Sequence, residues 1–364
     1  MKTIILFITL SFFLIQCSVE SNNDFIHAIA NDYSRINDNL IITNQDSLTC
    51  ISMMNDSLIW KKPLNKKSHI PNYPDASKSI FHLSDQVVIL NEKFDFDFYS
   101  IQNGEFNFSI PNEKTRLKES KFSNIVHNSN FLFFSSQISN TDYAIISIEK
   151  NGDIDTISHL IDYSKKIYSD NELLYYQSYA DINDLLKGES SYDIVLNCYN
   201  PVKKDNKSIS TLSSDDEIWI YKNAAIIGDK TKRTYSKIDL ISKKKEWETE
   251  SIEPFSSLNL FIDDSVILFC TLDEGFIYLN SSQGAVNELK NIKKPRFIKK
   301  LKKDFILIYS GLLTNNSKNI KNIEGNNTIR ILNTDIKKII GVEIFKENLY
   351  FITKNGIHKY WLTD

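Results

Sequence analysis

Glycine and proline are scarce in this chain, 10 and 7 among 364 residues. That is too few to form all the turns of a large β-protein, so another residue type must take positive φ or cap the turns. Asn and Asp are the expected substitutes. Cysteine is equally sparse, with 4 in all. Cys50, Cys198 and Cys270 sit inside apolar runs at wide spacing, which excludes a disulfide framework and fits small buried side chains with at most one bridge. After Ile15 no apolar run is long enough to cross a bilayer as a helix. Neither sign of charge dominates: 43 Lys and Arg stand against 46 Asp and Glu, net −3. Such a balance argues against nucleic acid as the main partner. There is no phosphate-cradling glycine loop, no Gly-x-Ser-x-Gly elbow, no Cys-x-x-Cys-His and no full calcium-loop series. The histidines, His27, His69, His82, His127, His159 and His358, show no metal-ligand spacing. No cofactor, metal or enzymatic activity is therefore expected.

What is present begins with an address. Met1-Lys2 precedes an apolar run from Thr3 to Ile15, which is too short to span and reads as a secretion signal. The run ends at Leu14-Ile15-Gln16-Cys17-Ser18, which resembles a bacterial lipoprotein signal, although Gln16 departs from the small residue usual there. The resemblance implies a signal peptide over 1–16, lipidation of Cys17 and a lipid-anchored linker over 17–24, so the mature chain is anchored and does not span. Ser18 lacks the acidic character that retains such proteins at the inner membrane, so the outer membrane is the expected address. Abundant Asn, Lys and Ile suggest an AT-rich bacterial genome.

The remaining chain is rhythmic. Apolar runs follow Asn- or Asp-bearing turns at Leu40, Val87, Phe131, Leu173, Ile218, Val266, Phe305 and Leu349, a spacing of one four-stranded propeller blade. The expected fold is all-β, a single β-propeller over 25–364 with eight four-stranded blades, or seven plus an insertion. Each unit reads as strands A to D. Asn37-Asp38-Asn39, Ser84-Asp85 and Asp215-Asp216 are assigned as A–B turns, and Gln102-Asn103-Gly104 and Ser242-Lys243-Lys244 as C–D turns. The last unit ends on Gly356 to Leu362, its C strand. Phe25-Ile26-His27-Ala28-Ile29 is expected to supply the missing D strand and close the ring.

The C-turn-D segments Cys50–Leu64, Phe98–Pro111 and Lys237–Ile252, with Trp60, Trp247 and Phe108 in the D strand, resemble the repeat of quinoprotein-like propellers. That family includes pyrroloquinoline-quinone dehydrogenases and the outer-membrane lipoprotein scaffold of the barrel-assembly machinery. The adjacent cysteine pair of the dehydrogenases is missing, so the resemblance implies their fold and not their cofactor.

In an up-and-down blade, A–B and C–D turns share one face of the disc, and B–C and D–A connections share the other. The long connections are assigned to the second face: Asn65–Lys78, Asn112–Ser123, Ala180–Ser191, Tyr199–Ser208, Ala225–Thr234 and Ser310–Asn327. A basic run on that face, Lys293, Lys294, Arg296, Lys299, Lys300, Lys302 and Lys303, and a smaller loop with Lys230, Lys232 and Arg233, are the candidate partner-binding residues. The competing reading is a solvated strand edge. His82 and His127 fall in or beside A strands, which line a propeller channel, and form a candidate channel site. Asp95 with Asp97, and Asp153 with Asp155, share strand faces and read as solvated carboxylates. The expected function is a non-catalytic, monomeric envelope lipoprotein whose propeller binds a protein partner or scaffolds a complex. The alternative is a carbohydrate-binding protein or glycan-active enzyme at the channel mouth, and a third reading is a guard of the cell's own envelope against a toxin.

Overall fold

The computed structural model describes residues 25–26, 30–69, 78–117, 125–138, 143–159, 167–170, 172–180, 192–229, 231–250, 261–262, 266–270, 276–280, 282–289, 295–302, 304–310, 318–323, 327–334, 336 and 338–361. Their strands form eight four-stranded sheets, and one helical turn, Asn112–Thr115, is described besides. Sheet one comprises Asp32–Ile36, Asn39–Thr43, Ser47–Ser52 and Ser57–Pro63, in that order from A to D. Sheet two repeats it with Ile80–Leu83, Gln86–Leu90, Phe96–Ser100 and Phe106–Ile110. Neighbouring sheets meet through their A strands, one with two, two with three, three with four, four with five, seven with eight and eight with one. The A strands therefore lie innermost, as a propeller requires.

The B strands explain why the sequence rhythm is audible. A B strand has a partner on each side within its sheet and a neighbouring sheet over each face, so both sets of alternate side chains are buried and the strand reads as an unbroken apolar run. Leu40 and Ile42 pack with Tyr350 and Ile352 of sheet eight, while Ile41 between them packs with Val87 and Ile89 of sheet two. Val88 and Leu90 then face Leu132 and Phe134 of sheet three. D strands alternate instead: in Ser57–Pro63 only Trp60 is buried.

Consecutive sheets are pinned by one recurring contact. The C–D turns of sheets one to six each place a left-handed residue just before the D strand: Asp56, Gly104, Gly152, Lys204, Lys243 and Gly284. Glycine stands at this position in sheets two, three and six, against Trp60, Phe108 and Trp247 of the preceding sheet's D strand. A Cβ on Gly104 would lie 2.7 Å from the Trp60 ring, one on Gly284 2.7 Å from the Trp247 ring, and one on Gly152 3.0 Å from Phe108. Trp60 also donates its indole N–H to the Ile101 carbonyl at 3.0 Å. A β-bulge in each of these D strands leaves one residue without a partner, Ile59, Asn107 or Glu246, immediately before the aromatic. The bulge re-aims the next side chain toward the neighbouring sheet.

Lysine, more than Asn or Asp, takes the remaining left-handed positions. Among the described residues, twelve non-glycine residues have positive φ; six are lysine and two are Asn37 and Asp56. Asn and Asp cap instead: Asn44, Asn128, Asn200 and Asn280 accept backbone N–H groups two and three residues ahead.

Five assignments from sequence are corrected. Glu217–Tyr221 is the A strand of sheet five, not its B strand, and the B strand is Ala224–Asp229. Asp215-Asp216 thus joins sheet four to sheet five and is no A–B turn. Tyr199–Ser208 holds a C–D turn between Asp193–Asn200 and Asp205–Ser213. Ala225–Thr234 is mostly that B strand, leaving a B–C connection of 230–233. The cause is side-chain size: Ala-Ala-Ile-Ile-Gly is a weaker apolar signal than Ile-Trp-Ile, whose Trp219 is buried between sheets. In sheet seven, the expected loop Ser310–Asn327 contains a strand, Lys318–Ile323, at the outer edge. The following strand, Asn327–Thr334, inserts beside the B strand Asp304–Ser310 in parallel, so the last two strands exchange places.

Sheet eight consists of Ile339–Phe345, Asn348–Thr353, Gly356–Trp361 and, as its outer strand, Phe25–Ile26, with Phe25 opposite His358 and Ile26 opposite Ile357. The N-terminal segment supplies the strand that the C-terminus lacks, as expected. His27 to Ile29 lie outside the described residues.

Three stability outcomes follow. Gly104→Ala, which combines φ +71 with a Cβ 2.7 Å from the Trp60 ring, lowers stability by roughly 1–3 kcal/mol. Lys243→Gly relieves a left-handed side chain and raises stability by up to about 1 kcal/mol, so urea midpoints fall on opposite sides of wild type. Deleting Asp24 to Ala30 removes the closing strand and lowers the melting temperature; an unchanged transition would show that this pairing contributes nothing.

Candidate functional site

The strand bounds divide the molecule into two unlike faces. A–B turns are two or three residues long, and the C–D turns of sheets one to six are four or five. On the other face the connections reach 64–79, 111–125, 180–192 and 251–260. Long connections thus gather on one face, although Tyr199–Ser208 and most of Ala225–Thr234 leave that set.

At sheets two and three this face holds a cavity of about 650 Å³, lined by Lys66, Lys93, Asp95, Asn112, Arg116 and Gln137 among others. Asp95 organises its wall. Its carboxylate accepts Lys66 Nζ at 2.7 Å, the Asn112 backbone N–H at 2.8 Å and Asn91 Nδ2 at 3.4 Å. Burial pushes its carboxyl up, but the Lys66, Asn112 and Asn91 donors outweigh that and hold it below the usual carboxylate range. Asp97, two residues on, is fully buried and accepts Asn91 Nδ2 at 3.0 Å. The pair expected to be solvated is therefore interior, because Phe96–Ser100 is a C strand covered on both faces. Asp155 fits the solvated reading better: it is exposed and paired with Lys204 at 2.7 Å. Lys93, Glu113 and Arg116 are exposed among its lining residues, so the rim mixes two cations with one carboxylate around the anchored Asp95. Sequence reasoning missed Arg116, whose left-handed backbone ends the helical turn Asn112–Thr115.

The basic residues singled out from sequence are distributed as follows. Lys232 and Arg233 are exposed in the B–C connection of sheet five, with Lys232 Nζ 2.7 Å from Asp229. Arg296 closes the connection into sheet seven and donates to the Ile339 carbonyl at 2.5 Å. Lys299 and Lys300 lie within the A strand Phe297–Leu301; Lys299 pairs with Glu343 at 3.3 Å, and Lys300 stands 5.5 Å from the Phe305 ring centre. Lys302, in the A–B turn, pairs with Glu347 at 2.5 Å. The run therefore passes down the inner edge of sheet seven from one face to the other. Cys17, Lys230, Lys293, Lys294 and Lys303 lie outside the described residues.

Glu343 is the hub of this inner edge. Besides Lys299 it accepts Tyr33 Oη at 3.2 Å and lies 3.8 Å from Arg35, joining the A strands of sheets seven, eight and one. Burial first, then the Glu343 charge, pushes the Tyr33 hydroxyl well above its ordinary range.

Across sheets one to three the A strands bring a second polar group together. His82 Nδ1 is 3.3 Å from Ser34 Oγ, and the His82 and His127 rings meet edge to face at 4.5 Å. Lys78 lies close enough for its charge to act on both rings. Burial, then Lys78, lowers His82; burial, then the His82 and Lys78 charges, brings His127 down to about 4. Two neutral imidazoles in contact can exchange hydrogen bonds, but among the described residues no group of three His, Cys, Asp or Glu could hold a metal. Cys50 and Cys198 are free thiols, and burial raises both.

A base held below its ordinary 6.5 in the fold binds its proton more readily when unfolded. Its effect is absent at high pH, destabilises as pH falls from about 6.5 to about 4, and is constant below. Asp32, raised by burial, acts with the opposite sign over an overlapping range, so the informative measurement is a difference. The stability of His127→Asn minus that of wild type grows on the order of 3 kcal/mol between those limits, read by chemical unfolding at a series of pH values.

No protein-family model and no curated protein sequence matches the chain. Solved structures do. The chain is similar to BamB from Moraxella catarrhalis, with 10% identity and a TM-score of 0.54 over 94% of this chain and 97% of that one. It is also similar to Sqt1 of Saccharomyces cerevisiae, with 7% identity and a TM-score of 0.55 over 94% and 100%. At such identities the shared property is the fold, that of an all-β propeller.

Proposed function

We propose that this chain is a non-catalytic bacterial envelope lipoprotein whose propeller binds a protein partner on the face of long connections. In this reading 1–16 is a signal peptide, Cys17 carries the lipid at the outer membrane, and 17–24 is a linker. Residues 25–364 form one monomeric domain, a closed ring of eight blades. The observation that carries the reading is the asymmetry of the disc: short turns on one face, and connections as long as 64–79 on the other. Insertions gathered on one rim of a repeat protein build a recognition surface without disturbing the stacked core. The likeness in fold to BamB supports an envelope role for such a propeller.

The partner's contact surface carries exposed acidic groups. Lys93 and Arg116 at the cavity rim, with Lys232 and Arg233, offer cations on this face, the sequence reading assigns Lys293 and Lys294 to the same surface, and such charges act mainly on the rate of encounter. Charge reversal of Lys232, Arg233, Lys293 and Lys294 together slows association with the captured partner by about tenfold at low salt. Reversal of Lys243 and Lys244 on the opposite face leaves it unchanged. Cross-linking and recovery from membranes identify the partner, and biolayer interferometry measures the rate; equal rates for both variants would remove these residues from the interface.

A further inference from the structure

The opposite face, with its short turns, has a pattern of its own. Among the described residues the exposed large hydrophobic side chains are Met54, Leu58, Ile59, Phe106, Val202 and Ile241, at 43% to 73% exposure. Every one lies in a C–D turn or in the first three residues of the D strand that follows. Met54 is in the turn of sheet one and Leu58 and Ile59 begin its D strand; Phe106 begins that of sheet two; Val202 and Ile241 are in the turns of sheets four and five. Strand direction puts all of them on one rim of the disc, on two separated parts of it. Single exposed hydrophobics scattered over a surface are ordinary; six confined to one rim are not.

The same rim receives the N-terminus. Gly356–Trp361 runs from its B–C turn toward the short-turn face, and Phe25–Ile26 runs antiparallel to it, with Phe25 opposite His358 and Ile26 opposite Ile357. Phe25 is therefore nearer the short-turn face than Ile26, and the 24 residues that precede it join the fold from that side. Sheet eight is the neighbour of sheet one, whose turn bears Met54. On the far part of the rim the apolar tips are accompanied by exposed lysines: Lys203 and Lys204 beside Val202, Lys243 and Lys244 beside Ile241, and Lys222 in the adjoining A–B turn.

We propose that this short-turn face docks on an anionic lipid surface. Met54, Leu58, Ile59 and Phe106 enter the headgroup layer near the point where the chain arrives, and Val202 and Ile241 enter on the other part, where the lysines meet lipid phosphates. Separate apolar tips on the short turns of sheets one, two, four and five suit a deformable planar partner better than a folded protein surface. Tips and cations together are the pairing that gives interfacial binding. The proposal rests on the envelope reading only through the direction of the N-terminal segment, and it leaves the long-connection face free for a partner.

The test uses the chain from Ser18 onward, which keeps every described strand and carries no lipid. It is floated with vesicles of phosphatidylethanolamine and phosphatidylglycerol, and with vesicles of phosphatidylcholine alone. The chain floats with the anionic vesicles, and raising the salt weakens that binding. Met54→Ser, Leu58→Ser, Val202→Ser and Ile241→Ser combined, at positions already exposed, reduce partitioning on the order of tenfold. Lys203→Glu with Lys244→Glu reduces it on anionic vesicles, and an unchanged melting temperature confirms that each variant is folded. A wild-type chain that stays with neither vesicle, or a serine variant that floats as well as wild type, overturns the proposal. So does a soluble acidic envelope protein bound stoichiometrically by wild type and lost by the serine variant without any vesicle binding. Failure of the partner reading shows instead in the association rates of the long-connection variants, which this experiment does not touch.

Discussion

The architecture depends on an aromatic ring lying flat against the backbone of the next sheet. A four-stranded sheet in this chain is apolar on both faces and cannot stand alone; it needs a neighbour on each side, and the neighbour must arrive at a fixed angle. At the outer edge Trp60, Phe108 and Trp247 pack on Gly104, Gly152 and Gly284 and so hold three of these junctions. The ring comes close only because the residue beneath it has no Cβ. Glycine is therefore spent where a ring from the preceding sheet must land, and Asp56, Lys204 and Lys243 fill the equivalent left-handed positions elsewhere. The cost of a left-handed side chain, about 1 kcal/mol or more at each such turn, is accepted in a chain with so few glycines.

The seam that closes the ring is built differently. Between sheets eight and one the apolar packing of Leu40 and Ile42 on Tyr350 and Ile352 is flanked by polar contacts: Glu343 with Tyr33 and Arg35 at the inner edge, and Asp56 with Lys359 at 2.5 Å and Tyr350 at 2.9 Å toward the turn. Around this junction the outer strand is only Phe25–Ile26. Charge pairs that are partly exposed contribute modestly each, and their directionality adds register to the apolar packing beneath them.

Much of this was legible in the sequence, and the failures share a cause. Doubly covered B strands are apolar at every position, so their spacing survives drift in everything else; that gave the all-β class, the unit length and the role of Phe25–Ile26. Sheet five was misread because its A strand is more apolar than its small-residue B strand. Sheet seven was misread because Lys-Asn-Ile-Lys-Asn-Ile looks like a loop until an edge strand needs only one covered face. Asp97 looked solvated because strand alternation says which face a residue shares, not whether that face is covered. The polar groups on the inner strands were partly visible. Ser34, His82 and His127 stand about one repeat length apart, and residues at equivalent positions of successive repeats stack on adjacent A strands. Glu343 offered no such signal, since its partners come from both ends of the chain.

The pairing of Phe25–Ile26 with Gly356–Trp361 has a mechanical side. A tether pulling from the short-turn face transmits its load first to two rungs of backbone hydrogen bonds between the first and last strands, ahead of any blade core. Tension on such a tether would thus act on this short pairing before any other. The same geometry orders events during synthesis: Phe25–Ile26 is made long before the strand Gly356–Trp361 with which it pairs.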